Sequence, residues 1–197
     1  MITKAGRTKE FILKTTAPLF NIQGYDGTSL LDLTTATGLT KGALYGNFEN
    51  KQGIARAAFK HSMEIVRNVS RKLMEEEATN KGKLSRLFEF YGAYVLHSPI
   101  PGGCPMINTA VQADDHQLFL KRSVKTEIRR TVGMIASLLE KGRAAGEFKS
   151  EIESEDLAQT FFCAIEGAIV MSRVSSSDKP MKAVLKHCES ILQQISL

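Results

Sequence analysis

Tryptophan is absent from this 197-residue chain, and cysteine occurs three times, at Cys104, Cys163 and Cys188. An odd number of widely spaced cysteines does not suggest a disulfide framework. CxxC, HExxH, GxGxxG and Walker patterns are all missing. Zinc-ribbon, zincin, dinucleotide-binding and P-loop chemistry therefore have no sequence support, and no metal or cofactor is expected. Asp114-Asp115-His116 is the nearest approach to a metal cluster. Consecutive residues rarely converge on one ion, and Asp115 reads as a helix cap. No apolar run approaches the ~20 residues a membrane span needs. The N-terminal stretch MITKAGRTKEF is polar and basic, unlike a signal peptide, so a cytoplasmic location is expected. Internal repeats are missing, and Ser175-Ser176-Ser177 is the sole short low-complexity stretch.

What remains is a chain with 43% hydrophobic residues, enough for a core of one or two domains. It reads as helical throughout. Apolar residues at Ile12, Leu13, Leu19 and Phe20 predict a helix over 10–23 that stops at Gly24, with Pro18 as a local violation that should kink it. A long helix is expected over 50–77, then a turn over 80–83. Leu84, Leu87, Phe88, Tyr91 and Val95 mark an amphipathic helix over 84–96. Residues 97–105 hold three prolines and two glycines and must be a loop. A short helix over 106–113 follows. A long helix over 117–145 carries Leu120, Val124, Ile128, Val132, Ile135 and Leu139 as a stripe, and Gly146 ends it. Ser154 should cap the next helix, with Glu155 and Asp156 favourable to its dipole. Pro180 sits near the start of the last helix, which ends near Ile195.

The stretch 28–51, TSLLDLTTATGLTKGALYGNFENK, is the most informative. Thr28 or Ser29 can cap a short helix, and Asp32 can close a box with Ser29. Leu30, Leu33 and Thr34 share a face, and Gly38 suits the left-handed end of that helix. Thr40 then caps a second short helix over 41–47, with Leu44 and Phe48 inward. Helix, glycine turn and helix is the spacing of a helix-turn-helix, whose second helix fits the DNA major groove. Thr40, Lys41 and Tyr45 remain outside and can reach phosphates or base edges. Gly42 and Ala43 are small enough for close approach. Lys51 adds a cation at the start of the following helix, whose free N–H groups suit a phosphate.

Over residues 7–60 the chain resembles the DNA-binding domain of TetR-family repressors. The resemblance is carried by Ile12-Leu13, Leu19-Phe20, Gly24-Tyr25, Thr28-Ser29, Gly38-Leu39-Thr40-Lys41-Gly42, Leu44-Tyr45 and Phe48 with Lys51. Departures are Thr15, Thr16, Thr34 and Thr37, Gly53 in place of a capping Glu, and Asn47 in place of a frequent His. The resemblance implies an all-α protein with a three-helix helix-turn-helix domain at 1–50 and a connecting helix to about 77. Residues 51–197 would form a helical effector-binding and dimerisation domain. It implies DNA contacts from Thr28, Ser29, Thr40, Lys41, Gly42, Ala43, Tyr45, Asn47 and Lys51.

Net charge agrees. The chain carries +5, and residues 1–60 hold eight Lys or Arg against four acids, a net +4. Alone, such a surplus is an ordinary solvated surface; beside a helix-turn-helix it matches phosphate binding.

In the C-terminal half, Leu157, Phe161, Phe162, Ile165, Ala168 and Ile169 line one helix. Val184, Cys188, Ile191, Leu192 and Ile195 line the next. Either these stripes pack inside the domain, or they form the shared four-helix interface of a homodimer that the resemblance implies. Such a dimer would read a palindromic operator. Cys104 follows Gly102-Gly103 and precedes Pro105, where a helix N-terminus would favour its thiolate; it is either an electrophile sensor or a small residue in a tight loop. Cys163 and Cys188 read as inert core thiols. A small-molecule effector pocket would draw on Phe88, Tyr91, Tyr94, Cys104, Met106, Met134, Phe161 and Phe162, residues that read equally as plain core. His97 and His116 flank the loop, as ligand contacts or as surface and capping residues.

The reading is therefore a ligand- or electrophile-responsive repressor without catalytic activity. The alternatives are a thiol-dependent enzyme using Cys104 with His97 or His116, and a helical interaction module that does not bind DNA. No partner for a nucleophile is visible at fixed spacing, and outward Lys41 and Lys51 weigh against the module.

Overall fold

A computed structural model describes residues 4–197, apart from the side chains of Lys4 and Asp115. The expectation that Asp115 caps a helix falls outside the described residues. The elements are α1 (Lys4–Gly27), α2 (Leu30–Thr37), α3 (Lys41–Tyr45), α4 (Lys51–Glu75), α5 (Asn80–Tyr94), α6 (Pro105–Asp115), α7 (Leu118–Ala144), α8 (Ser154–Val174) and α9 (Lys179–Ile195). Among the described residues the single β feature is an isolated bridge, Phe148 with Ser196. The all-α expectation holds.

Two compact units divide the chain. One holds the chain as far as Val66 together with Ile100–Lys125; the other holds Arg67–Pro99 and Thr126–Leu197. In the first unit, Ile12, Leu33, Leu44, Phe48 and Ile54 form a buried cluster, and Leu13, Leu19, Phe20, Leu30 and Tyr45 pack around it. This cluster fixes α2 and α3 on α1 and the start of α4. Residues 100–125 join the same unit through polar side chains. Asn21 Nδ2 donates to the carbonyls of Pro101 (2.8 Å) and Gly103 (2.9 Å). Asn108 Nδ2 donates to Gly102 O at 2.9 Å, and Tyr25 N donates to Gln112 Oε1 at 2.8 Å.

Helix α1 breaks at Gly24, where φ is 73° and ψ 176°. Pro18 was the expected kink, yet the non-helical dihedrals within α1 lie at Gly24. Positive φ is available to glycine without a Cβ penalty, so the chain turns there.

In the second unit α8 packs along α9, and α5 lies against both. Phe88 meets Phe161 edge to face with centroids 5.2 Å apart. Residues 80–83 are the first turn of α5, not a free turn. Thr79 caps them, accepting from Gly82 N at 3.0 Å. The Glu147 carboxylate accepts from Asn80 N (3.1 Å), Asn80 Nδ2 (2.8 Å) and Lys81 N (2.8 Å). A cap delivered from 67 residues away leaves no local trace. Ser154 is the first residue of α8, and Glu153 stands at the N-cap without a side-chain bond, so Ser154 does not cap this helix as expected.

Helix α8 is long and apolar enough to cross a membrane by length and composition, unlike the expectation that no run approaches that size. Its Phe161, Phe162, Ile165, Ala168 and Ile169 are buried in the unit with Glu166, as in the core helix of a globular domain.

The stripes expected to form a dimer interface are thus largely internal: Phe161, Phe162, Ile165, Ala168, Ile169, Cys188 and Leu192 are all buried within the chain. A different face of α8 is open. Val170, Met171 and Val174 (82% exposed) lie there, with exposed Cys163 about two turns before Val170 and three before Val174. Cys163 is therefore not a core thiol; its Sγ accepts from Gln159 Nε2 at 3.3 Å. Cys188 is buried as expected, and burial pushes its thiol up to about 11.

Candidate nucleic-acid interface

The recognition elements form because local chemistry closes both ends of each short helix. At the N-terminus of α2, Asp32 N donates to Ser29 Oγ (3.1 Å), and Ser29 N donates to Asp32 Oδ2 (2.7 Å). This is a complete capping box. The Ser29 hydroxyl and backbone amide hold the Asp32 carboxyl below its usual range. Gly38 ends α2 with φ 66°, which glycine adopts without strain. Thr40 opens α3, its Oγ1 accepting from Ala43 N at 3.2 Å. Helix α3 stops at Tyr45, two residues short of expectation, and Asn47 Nδ2 donates to Ala43 O at 2.9 Å.

Inward, Leu44 and Phe48 are buried as expected. Outward, Thr40, Lys41 and Gly42 are exposed, and Ala43, Tyr45, Asn47 and Lys51 are half-buried. A Cβ placed on Gly42 would meet Thr40 Oγ1 alone, at 3.9 Å. Packing within the chain does not demand glycine there, so any demand comes from what approaches outside. Lys41 Nζ lies 5.9 Å from the centre of the Tyr45 ring, a loose cation–π placement that leaves the amine to solvent. Tyr45 packs on the core cluster, so that ring has a structural share as well.

Thr28 departs from the expected contact set. It is 0% exposed, and its Oγ1 donates to Gly24 O at 2.6 Å. The hydroxyl joins the broken end of α1 to α2, and no surface remains to meet DNA. Ser29 is exposed, though its hydroxyl is committed to Asp32. Thr37, where the family resemblance leads one to expect alanine, is buried and satisfied by Leu33 O at 2.6 Å.

Two cation–π contacts leave no signal in the sequence pattern. Lys9 Nζ stands 5.1 Å over the Phe48 ring, and Lys51 Nζ stands 4.2 Å over the Tyr25 ring. Partial burial, then the Asp26 carboxylate, pushes the Tyr25 hydroxyl up. Lys9 was legible as one more cation of residues 1–60; its place over Phe48 was not.

The effector residues expected from sequence do not assemble. Phe88, Tyr91, Tyr94, Phe161 and Phe162 are buried; Phe88 meets Phe161, and Tyr91 and Tyr94 both meet Phe90. Cys104 and Met106, each 3% exposed, belong to the first unit. Met134 borders a cleft of about 220 Å³. Cys104 is the N-cap of α6 without a side-chain cap bond, behind Gly102 and Gly103 with φ of 100° and 92°. Its burial opposes the reagent access a sensor thiol needs. His97 is an exposed loop residue, and His116 is the exposed C-cap of α6. Among the described residues no group of three His, Cys, Asp or Glu could hold a metal.

Comparison with known proteins agrees with this geometry. The family model described as "Bacterial regulatory proteins, tetR family" matches residues 12–58. That described as "Tetracyclin repressor-like, C-terminal domain" matches residues 80–188. The HTH-type transcriptional repressor ComR of Escherichia coli (strain K12) is 27% identical over 177 residues, 87% of this chain and 84% of that protein. The crystal structure of a TetR-family transcriptional regulator from Cytophaga hutchinsonii superposes with a TM-score of 0.92 at 33% identity, covering 100% of this chain and 98% of the other. The TetR-family regulator CifR, a cysteine mutant complexed with 26 bp double-strand operator DNA, shares the fold with a TM-score of 0.81 at 20% identity, over 94% and 95% of the two chains. With a capped helix-turn-helix at one end, matching models over both halves and relatives that are regulators and not enzymes, this chain belongs to the TetR family of transcriptional regulators.

Proposed function

We propose that the chain is a homodimeric repressor that acts in the cytoplasm, holds a palindromic operator through α3 and leaves it when a small molecule binds. The observation that carries the reading is the outer face of α3. Thr40, Lys41 and Gly42 are exposed on a helix whose inner face is locked by Leu44 and Phe48. A rigid frame with small and cationic outer residues suits major-groove entry. Lys41 and Lys51 serve phosphates, Thr40 and Tyr45 serve phosphate or base edges, and Gly42 with Ala43 set the approach distance. Asn47 supports the C-terminal end of α3, and Ser29 acts chiefly as a cap. Operator DNA on the CifR structure supports the same use of this fold.

Two recognition helices about one DNA turn apart require a two-fold partner. The exposed face of α8, with Val170, Met171 and Val174, offers an apolar surface for it. An effector shifts the equilibrium only by preferring the arrangement that misfits DNA.

The test is a salt titration of duplex binding. Duplexes selected from a random pool by the wild-type protein are bound by wild type and Lys41→Ala at rising salt. In a dimer, loss of two phosphate contacts lowers the log–log slope by about 1.8. Melting should stay unchanged, since Lys41 is exposed. An unchanged slope removes Lys41 from the interface, and failure to select any duplex removes the DNA reading.

A further inference from the structure

The second unit contains a cleft of about 220 Å³ between the C-terminal part of α4 and the middle of α7. Three of its eight lining residues are arginines, Arg67, Arg71 and Arg130, and none is acidic. Like charges that converge on one opening do so at a cost unless an anion offsets them. Glu127 offsets part. It lies behind the lining, its side chain 7% exposed, paired with Arg67 and, at 3.2 Å, with Arg130. Arg71 Nη2 donates to Asn68 Oδ1 at 3.0 Å, and its Nε is 3.8 Å from Glu75 in an exposed pair. Three guanidiniums therefore share two carboxylates. Arg67 and Arg130 each give Nη1 to Glu127, and each fork carries further N–H groups. Glu127 holds those two forks in place beside the opening.

The rest of the wall sets two thioethers among the small polar side chains of Asn68, Ser70 and Thr131. Met74 and Met134 contribute flexible, polarisable thioethers, and the Thr131 side chain is buried beside them. A guanidinium plane binds carboxylates and phosphates through paired N–H groups. The volume falls below the ~300–1,000 Å³ of drug-sized sites, which limits the ligand to a compact one.

We propose that this cleft is the receptor for a compact organic anion, a carboxylate or phosphate head on a small apolar body. The head sits among Arg67, Arg71 and Arg130, and the body lies against Met74 and Met134. The proposal deepens the effector-responsive reading above and rests on it for its biological role. It replaces the aromatic residues, which are packed core, as the place where an effector binds.

The experiment uses the full chain with ¹³C-methyl methionine, and the Met74 and Met134 signals assigned through Met74→Leu and Met134→Leu. Benzoate and phenyl phosphate are the probes, and benzamide is the neutral control. At least one anion should shift both signals saturably below about 10 mM. Benzamide should bind at least ten-fold more weakly. Arg71→Gln, which removes the most exposed of the three guanidiniums and leaves Glu127 paired, should weaken binding at least ten-fold with the Met63 and Met181 signals unchanged. A response to benzoate alone assigns a carboxylate, and a response to phenyl phosphate alone a phosphate ester. Silent signals, equal binding of benzamide, or full binding by both Arg71→Gln and Arg130→Gln would overturn the proposal. Duplex binding is measured on the same samples. Intact duplex binding with silent methyl signals removes the cleft alone; lost duplex binding with responsive signals removes the regulator reading alone.

Discussion

Replacing Gly42 with alanine should move stability and DNA affinity in opposite directions. Inside the chain the new methyl group meets open space, since the nearest foreign atom is Thr40 Oγ1 at 3.9 Å. Gly42 is also helical, without the positive φ that would strain alanine. Alanine therefore gains the usual advantage over glycine in a helix, about 0.5–1 kcal/mol. In the proposed DNA complex the same methyl would project from the outer face of α3 toward the groove. Overpacking a close contact costs about 1–3 kcal/mol per site, and a two-fold dimer doubles it. The smallest total, about 2 kcal/mol, corresponds to roughly thirty-fold weaker binding. Urea unfolding gives the first quantity, and fluorescence anisotropy on a labelled duplex gives the second at fixed salt. Unchanged affinity together with raised stability would refute close approach at Gly42. A fall in stability would refute the reading of open space around it.

Acid sensitivity should reside partly in Glu147. Its burial opposes ionisation, but hydrogen bonds from Lys81 N and Asn80 N outweigh it, and the carboxyl ends below its ordinary 4.5. A depressed folded pKa supplies stability that is complete above about pH 4.5 and lost as pH falls through the lower folded value. Glu147→Gln should accordingly flatten the melting-temperature profile below about pH 4.5; a profile as steep as wild type would show that the α5 cap does not titrate. The exposed face of α8 should carry self-association. Val174→Glu should yield a monomer by light scattering, and a persistent dimer would place the interface elsewhere. In that monomer, maleimide at neutral pH should take exposed Cys163 well ahead of buried Cys104 and Cys188, whose thiol is pushed to about 11. Labelling of Cys104 at the rate of Cys163 would restore the electrophile-sensor reading of the Gly102-Gly103-Cys104-Pro105 loop.

The sequence by itself determined the helix-turn-helix, because the interactions that shape it span at most four residues. Ser29 with Asp32, the left-handed Gly38, and Thr40 with Ala43 are all local, and each appears where the pattern placed it. The apolar period likewise identified Leu33, Leu44 and Phe48 as inward. Tertiary structure decided what depends on distant partners. Thr28 reads as a cap and is instead buried against Gly24 O. Asn80 begins α5 because Glu147 reaches it across 67 residues. Cys163 is exposed although its helix is apolar, since the α9 and α5 side of α8 is the packed one. The arginine cleft joins residues from α4 and α7 that share no motif; single cations on separate helices become a site only when packing brings them to one opening. Local geometry is encoded residue by residue, whereas burial and convergence are properties of the folded chain.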